Sequence, residues 1–363
     1  MATTTLKCII LAILFVAITP QLLIHAQQKV PCIFPFGDSL FDNGNNNNLL
    51  TLLKADYSPY GIDFVYGVNG RFTNGFNIPD ILAQLLGFLN GVPPNRAGGG
   101  SNTVLRGVNY ASGGAGILDE TSLQLGQQIP MNQQLKNHQV NIGRIATILG
   151  NQTAADHLLR QCLYTVDMGN SDYVNNYYAL PLTLTRILYS PESFAEKLIH
   201  EYSQQLTTLY NLQARKVAVF GLQPLGCIPR ELFLYPPKGT ACVDFINDAV
   251  RLFNTKLISL VRHLNTNLPG ANFTYINTYG ILSGNFAATL GIKVPNASCC
   301  EVNKITGLCV QDGAVCSNRD EYTYFDDYHL TQIVANYTTS RAYIAQTQSD
   351  AFPVDIQTLI QAQ

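Results

Sequence analysis

Six histidines occur in the chain, and the surroundings of one of them suit proton transfer. His329 follows Tyr324-Phe325-Asp326-Asp327-Tyr328, so a carboxylate stands three residues before an imidazole. A carboxylate at that spacing can accept the Nδ1 proton and leave Nε2 free to take a proton from a serine hydroxyl. His200 and His263 fall inside amphipathic helical patterns, and His138 and His157 lie in polar stretches without a usable carboxylate pattern. An Asp-x-x-His pair alone also fits helix capping by Asp326 or Asp327, so a serine has to complete the case. No Gly-x-Ser-x-Gly elbow occurs, which argues against the hydrolase arrangement built on it. The serine that stands out is Ser39, in Gly37-Asp38-Ser39-Leu40, directly after an apolar run.

Ser39 and His329 are far apart in sequence, so the elements between them must bring them together. Short β-rich runs at Val30–Phe36, Val104–Tyr110, Leu163–Met168, Lys216–Gly221 and Asn272–Asn277 predict strands. Helical patterns fill Ile78–Gly87, Met131–Leu149, Glu192–Leu212, Val243–Leu268 and Leu330–Ile344. In the third, Phe194, Leu198, Ile199, Tyr202, Leu206, Leu209 and Tyr210 recur at three- and four-residue intervals, the mark of one buried face. Alternation of this kind predicts an α/β fold, a parallel sheet between helical layers. Sites on such sheets gather at the carboxyl ends of the strands. There the chain carries three polar, Gly-containing turns: 36–39, 110–114 and 168–172.

The blocks Gly37–Asn45, Gly70–Gly75, Asn109–Gly116, Gly169–Tyr173, Gly221–Cys227 and Asp326…His329 occur in that order. With them the sequence resembles the plant-type GDSL esterase/lipases of the SGNH hydrolase superfamily over nearly the whole chain after the leader described below. The resemblance implies a three-layer α/β/α fold with a five-stranded parallel sheet in flavodoxin-like order, 2-1-3-4-5. It implies Ser39 as nucleophile, His329 as base, Asp326 as orienting acid, and no metal or cofactor. Asp327 is the neighbouring acid, off the family position. The oxyanion hole would use the backbone N–H of Ser39 and of Gly113, with Gly114 as the adjacent alternative. The family's third donor is the Asn of Gly-x-Asn-Asp. Here Gly169-Asn170-Ser171-Asp172 puts Ser171 in that place and Asn170 one residue early. Phe325 and Leu330 replace a customary Trp and Pro. The expected reaction is hydrolysis of a small-molecule or lipid ester through an acyl-enzyme. Acyl transfer to an alcohol, and a non-catalytic secreted binding protein, stay open beside it.

The composition agrees with a large core: 47% of the 363 residues are hydrophobic and 13% charged. A net charge of −2 gives no footprint for nucleic acid, and there is no basic amphipathic helix for anionic lipid. Lys7, the apolar run Ile9–Ile18 and the small-residue exit at Ala26 predict a secretory leader over residues 1–26. The run falls short of the about 20 residues a membrane anchor needs. The hydrolase domain is then residues 27–363, expected as an extracellular monomer. Removal of Cys8 leaves Cys32, Cys162, Cys227, Cys242, Cys299, Cys300, Cys309 and Cys316, an even number that favours disulfides. No CxxC pair is present to suggest a metal.

Cys32 and Cys162 each precede a strand, and the two strands are neighbours in the expected order, so this pair is predicted to bond. Cys227 and Cys242 would close a Pro-containing loop, and the pairing of the last four is open. Sequons at Asn151, Asn272 and Asn296 are expected to carry glycans. Asn336 is not, because seven residues on a helix would bring it to the face of His329.

Overall fold

The computed structural model describes residues 28–95 and 102–362. Four of the apolar runs form strands: β1 (Ile33–Gly37), β2 (Leu163–Asp167), β3 (Lys216–Phe220) and β4 (Asn272–Ile276). They pair in parallel, in the order β1-β2-β3-β4. Beyond β4 come β5 (Val294–Ser298) and β6 (Tyr322–Tyr324), a separate two-stranded parallel sheet, and β7 (Ala351–Phe352). Successive side chains of a strand point to opposite faces, and the core divides accordingly. Phe34, Phe36, Tyr164, Val166, Val217 and Val219 pack into one cluster with the helices Met131–Leu149, Pro191–Asn211 and Asp244–Asn267. Ile33, Leu163, Ala218, Phe220 and Ile276 pack into another with the helices Ile78–Leu85, Gln332–Tyr343 and Ile356–Gln361. The result is the expected three-layer α/β/α arrangement.

The fifth strand is not the one expected. The segment 104–110 does lie beside β1, but it opens as a 3-10 turn, Thr103–Arg106. It joins β1 through the Tyr110 N–H to Pro35 O (2.8 Å), and just beyond it the Ser112 N–H bonds to Gly37 O (3.0 Å). Pro35 has no N–H to return, and the Gly37 N–H is taken by the Gln134 side chain at 3.1 Å. Gly107, at φ +119°, runs so close to β1 that a Cβ would stand 1.9 Å from Ile33 O. The ladder on this edge is therefore blocked. The fifth member of the sheet is β7, antiparallel to β4 at the far edge, so the sheet is mostly rather than wholly parallel.

Register fixes the site. Gly37 pairs with Asp167 and Asp167 with Phe220, so β1, β2 and β3 end flush. The turns after β1 and β2 therefore emerge side by side. At the other end Ile33 pairs with Leu163, which brings the preceding cysteines together, and Cys32 is bonded to Cys162. The remaining bridges are Cys227–Cys242, Cys299–Cys316 and Cys300–Cys309. The expected leader lies outside the described residues. Among the described residues no helix is long and apolar enough to cross a membrane.

Candidate active site

Ser39 sits in the tight turn that follows β1. The Asp38 N–H bonds to Asp167 O (3.1 Å), and the Asp42 N–H to Asp38 O (3.0 Å). The Asp38 carboxylate accepts the Leu40 N–H at 3.0 Å, which closes the turn under the serine. A Cβ on Gly37 would stand 2.9 Å from the Phe41 Cβ, so only glycine lets the chain bend here without a shift.

His329 arrives from the other end of the sequence, in the loop between β6 and the helix Gln332–Tyr343. Its Nε2 is 2.7 Å from Ser39 Oγ, across 290 residues of sequence. Its Nδ1 is 2.8 and 2.7 Å from the two oxygens of Asp326. That contact puts the proton on Nδ1 and leaves Nε2 to accept the serine hydroxyl. Asp326 is fully buried, and burying a carboxylate is costly unless donors replace its water. Three besides the His329 imidazole do so: the N–H groups of Tyr328 (2.8 Å) and His329 (2.9 Å), and the Tyr60 hydroxyl (2.6 Å). Phe72 lies over the imidazole with ring centroids 4.9 Å apart. Asp327 is turned away and accepts from Ser298 Oγ at 2.7 Å. The other described histidines are elsewhere. His138 is buried at Tyr110, where burial pushes it down to about 3, and His157, His200 and His263 contact neighbouring side chains on their own helices.

The groups expected to donate into the cleft differ from expectation in one respect. The Gly113 N–H does not face the cleft; it donates to Asp42 Oδ2 at 3.0 Å. Asp42 also accepts the N–H groups of Gly44 and Asn45, both at 2.8 Å, so it ties the Ser39 loop to the 110–114 turn. Gly114 is the residue at the cleft wall. Its φ of +79° and a Cβ position 2.2 Å from Leu53 Cδ1 admit only glycine. Among the described residues, neither the Ser39 nor the Gly114 N–H has an acceptor. Asn170 and Ser171 both line the cleft. The Asn170 amide is engaged, 3.3 Å from Asp38 Oδ2 and 3.3 Å from Asp167 Oδ1. The Ser171 hydroxyl makes no hydrogen bond to a described residue, and so is free to donate into the cleft.

Beneath these donors lies a group of buried acids. Burial pushes Asp38 up to about 6 against the Leu40 N–H, Asn170 and His329. Asp167 is raised well above the usual carboxylate range, by burial and then by the charge of Asp38. Asp172, pushed up to about 6 by burial, accepts from Ile117 N–H (2.7 Å), Leu118 N–H (3.1 Å) and Thr121 Oγ1 (2.6 Å). It binds the turn after β2 to the loop that carries Gly114.

The cleft above Ser39 opens to solvent, with Leu53, Val174, Leu225, Leu308 and Tyr328 forming its apolar walls. Its polar end thus holds a serine oxygen beside an acceptor nitrogen, two free amides and a free hydroxyl. That set can move a proton off an attacking oxygen and receive negative charge on another. Sequence reasoning missed Tyr60 and the role of Asp42. Asp42 lies within the block Gly37–Asn45, whereas Tyr60 carries no signal, being 266 residues from its partner. The sequons also sort differently. Asn151 and Asn336 are exposed and Asn272 and Asn296 half-buried. His329 precedes the helix that holds Asn336, so the expected shared face does not exist.

A family model described as GDSL-like Lipase/Acylhydrolase matches residues 33–337. A GDSL esterase/lipase of Arabidopsis thaliana is 44% identical over 333 residues, covering 91% of this chain and 92% of the relative. A second from the same plant is 45% identical over 335 residues, covering 92% and 93%. On that match the chain belongs to the GDSL esterase/lipase family and is a carboxylic ester hydrolase.

Proposed function

We propose that the protein is a secreted serine esterase that works through an acyl-enzyme on Ser39. The observation that carries this reading is the 2.7 Å contact of Ser39 Oγ with His329 Nε2, backed by Asp326. Ser39 Oγ attacks the ester carbonyl carbon while its proton passes to Nε2. The carbonyl oxygen becomes an oxyanion facing the amides of Ser39 and Gly114 and the hydroxyl of Ser171. Collapse expels the alcohol, which takes the proton from Nε2, and leaves the acyl group on Ser39. Water then enters, gives its proton to Nε2, and releases the acid; the proton returns to Ser39. Asp326 holds the imidazole and balances its charge in both halves. Preorganised donors stabilise charge that exists only in the transition state.

Export is supported by Lys7 and the apolar run after it, and by the disulfides. A fluorophosphonate probe tests the chemistry: it is expected to label Ser39 and to lose its target in Ser39→Ala. Ester turnover should fall about 10⁴-fold or more in that variant. Folded protein that labels elsewhere, or that still turns over as Ser39→Ala, would sink the reading. N-terminal sequencing of protein recovered from the medium tests cleavage after Ala26.

A further inference from the structure

Single exposed leucines are ordinary on protein surfaces, but a connected set is not. The helix Leu184–Leu188 has no buried residue, although Leu184, Ile187 and Leu188 recur at the spacing that shares one face. They are 70%, 64% and 64% exposed. The helix is nevertheless held in a fixed orientation. Thr183 caps it through the Arg186 N–H (3.2 Å), and the Arg186 guanidinium donates to Pro181 O (2.7 Å) and the Tyr235 hydroxyl (3.2 Å). Its polar side is anchored to the protein, and its apolar side faces outward.

This apolar side adjoins the catalytic cleft. Leu180, Leu182, Leu184 and Ile305 line a groove that shares Val174, Asn175 and Tyr328 with the cleft above Ser39. On the opposite bank the Leu52 N–H bonds to Leu125 O (2.8 Å), and Leu125 lines the same groove. Leu50 and Leu52, 81% and 58% exposed, stand there beside Leu53 of the cleft wall. Three nearby cations are tied to protein oxygens: Arg230 donates to the carbonyls of Lys304 and Ile305, Lys54 to that of Asn47, and Arg186 as above. Lys304, beside Ile305, is exposed. The rim therefore offers mainly apolar side chains, with Lys304 as the untethered cation among these described residues.

We propose that this rim is an adsorption face that seats the protein on an uncharged lipid surface, with the Ser39 cleft opening toward that surface. The proposal rests on the ester-cleaving reading of Ser39, because the rim matters only as the mouth of that cleft. An anionic membrane would call for a cluster of free cations, whereas among the described residues Arg186, Arg230 and Lys54 are held back by protein oxygens and Lys304 stands alone. Insertion of each exposed aliphatic side chain contributes about tenfold to partitioning.

The test uses Ser39→Ala protein, so that binding is measured without turnover and survives any failure of the catalytic reading. Flotation with a phosphatidylcholine-coated triacylglycerol emulsion is expected to carry the protein up, with little effect of about 0.5 M salt. Adding Leu50→Ser, Ile187→Ser and Leu188→Ser, which line neither cleft nor groove, should lower partitioning at least tenfold. In the Ser39 background the same triple change should alter turnover of a dissolved short-chain ester less than twofold and slow emulsion hydrolysis tenfold or more. Absence of flotation, or equal flotation of the triple variant with an unchanged thermal transition, overturns the proposal. So does binding confined to phosphatidylglycerol vesicles and lost in salt. A dimer in light scattering that the triple variant dissociates would assign the rim to a second copy of the chain, and would equally overturn it.

Discussion

Asn170 and Ser171 are adjacent, both line the cleft, and changes at the two should fail in different ways. The Asn170 amide lies between the buried carboxyl groups of Asp38 and Asp167, whereas the Ser171 hydroxyl has no partner among the described residues. Asn170→Ala removes the one side-chain donor the two acids share. An unsatisfied buried polar group costs about 1–3 kcal/mol, which in a protein of this size lowers the thermal midpoint by several degrees. Ser171→Ala removes no protein–protein bond and should leave stability within about 0.5 kcal/mol. Its effect belongs to the transition state. Loss of a full oxyanion donor costs roughly 10²–10³ in kcat, and a freely rotating hydroxyl is a weaker donor, so a fall of about 10–100-fold with little change in KM is expected. Ser171→Asn should raise kcat several-fold. Thermal melts and initial rates on one soluble ester measure both quantities. If Asn170→Ala abolishes turnover in folded protein while Ser171→Ala leaves kcat intact, the assignment of these two side chains is reversed and the reasoning fails.

Tyr60→Phe should cost about 2 kcal/mol in urea unfolding, because Asp326 loses a hydrogen bond to a charged group and the Cys309 N–H loses its acceptor; a neutral result would mean the contact is not formed. Glu231 is fully buried with no hydrogen-bond partner for either oxygen among the described residues, and burial pushes it up to about 8. A raised acid keeps its proton longer in the folded state, so its contribution to stability is lost as pH rises toward 8. Between pH 6.5 and 8 this is worth about 1.5 kcal/mol, and Glu231→Gln should flatten the slope of chemical-denaturation midpoints over that range. Paired Cys32→Ala and Cys162→Ala should cost about 4–5 kcal/mol through the long loop they close, across 130 residues; a loss below about 1 kcal/mol would contradict the loop-entropy account.

Much of this was legible because it is local and periodic. The alternation of Phe34 and Phe36 against Ile33, or of Val217 and Val219 against Ala218, is a two-residue pattern that any reader of the chain can find. The acid and base are three residues apart, so their contact needs no long-range knowledge. What stayed hidden depends on partners far along the chain. The segment 104–110 has strand-like composition, but Pro35 and the Gln134 side chain deny it a ladder, and both belong to other segments. Gly113 and Gly114 look equivalent in sequence, and only the carboxylate of Asp42 separates them. Tyr60 is one tyrosine among 19 until the chain folds.

The loop that bears Asp326 and His329 leaves β6 and is braced by a cross-linked excursion outside the five-stranded sheet. The Cys299 and Cys300 N–H groups bond to Phe325 O (3.0 and 2.9 Å), and the Asp327 N–H bonds to Gly307 O (3.0 Å). Cys299–Cys316 and Cys300–Cys309 close that excursion on itself. Ser39, by contrast, follows β1 directly and lies outside that excursion. A chain whose five-stranded sheet has formed without these two bridges would keep the serine turn but lose one of the braces on His329. On the esterase reading proposed above, the placing of the base would then lean on these two covalent bonds as well as on the fold around them.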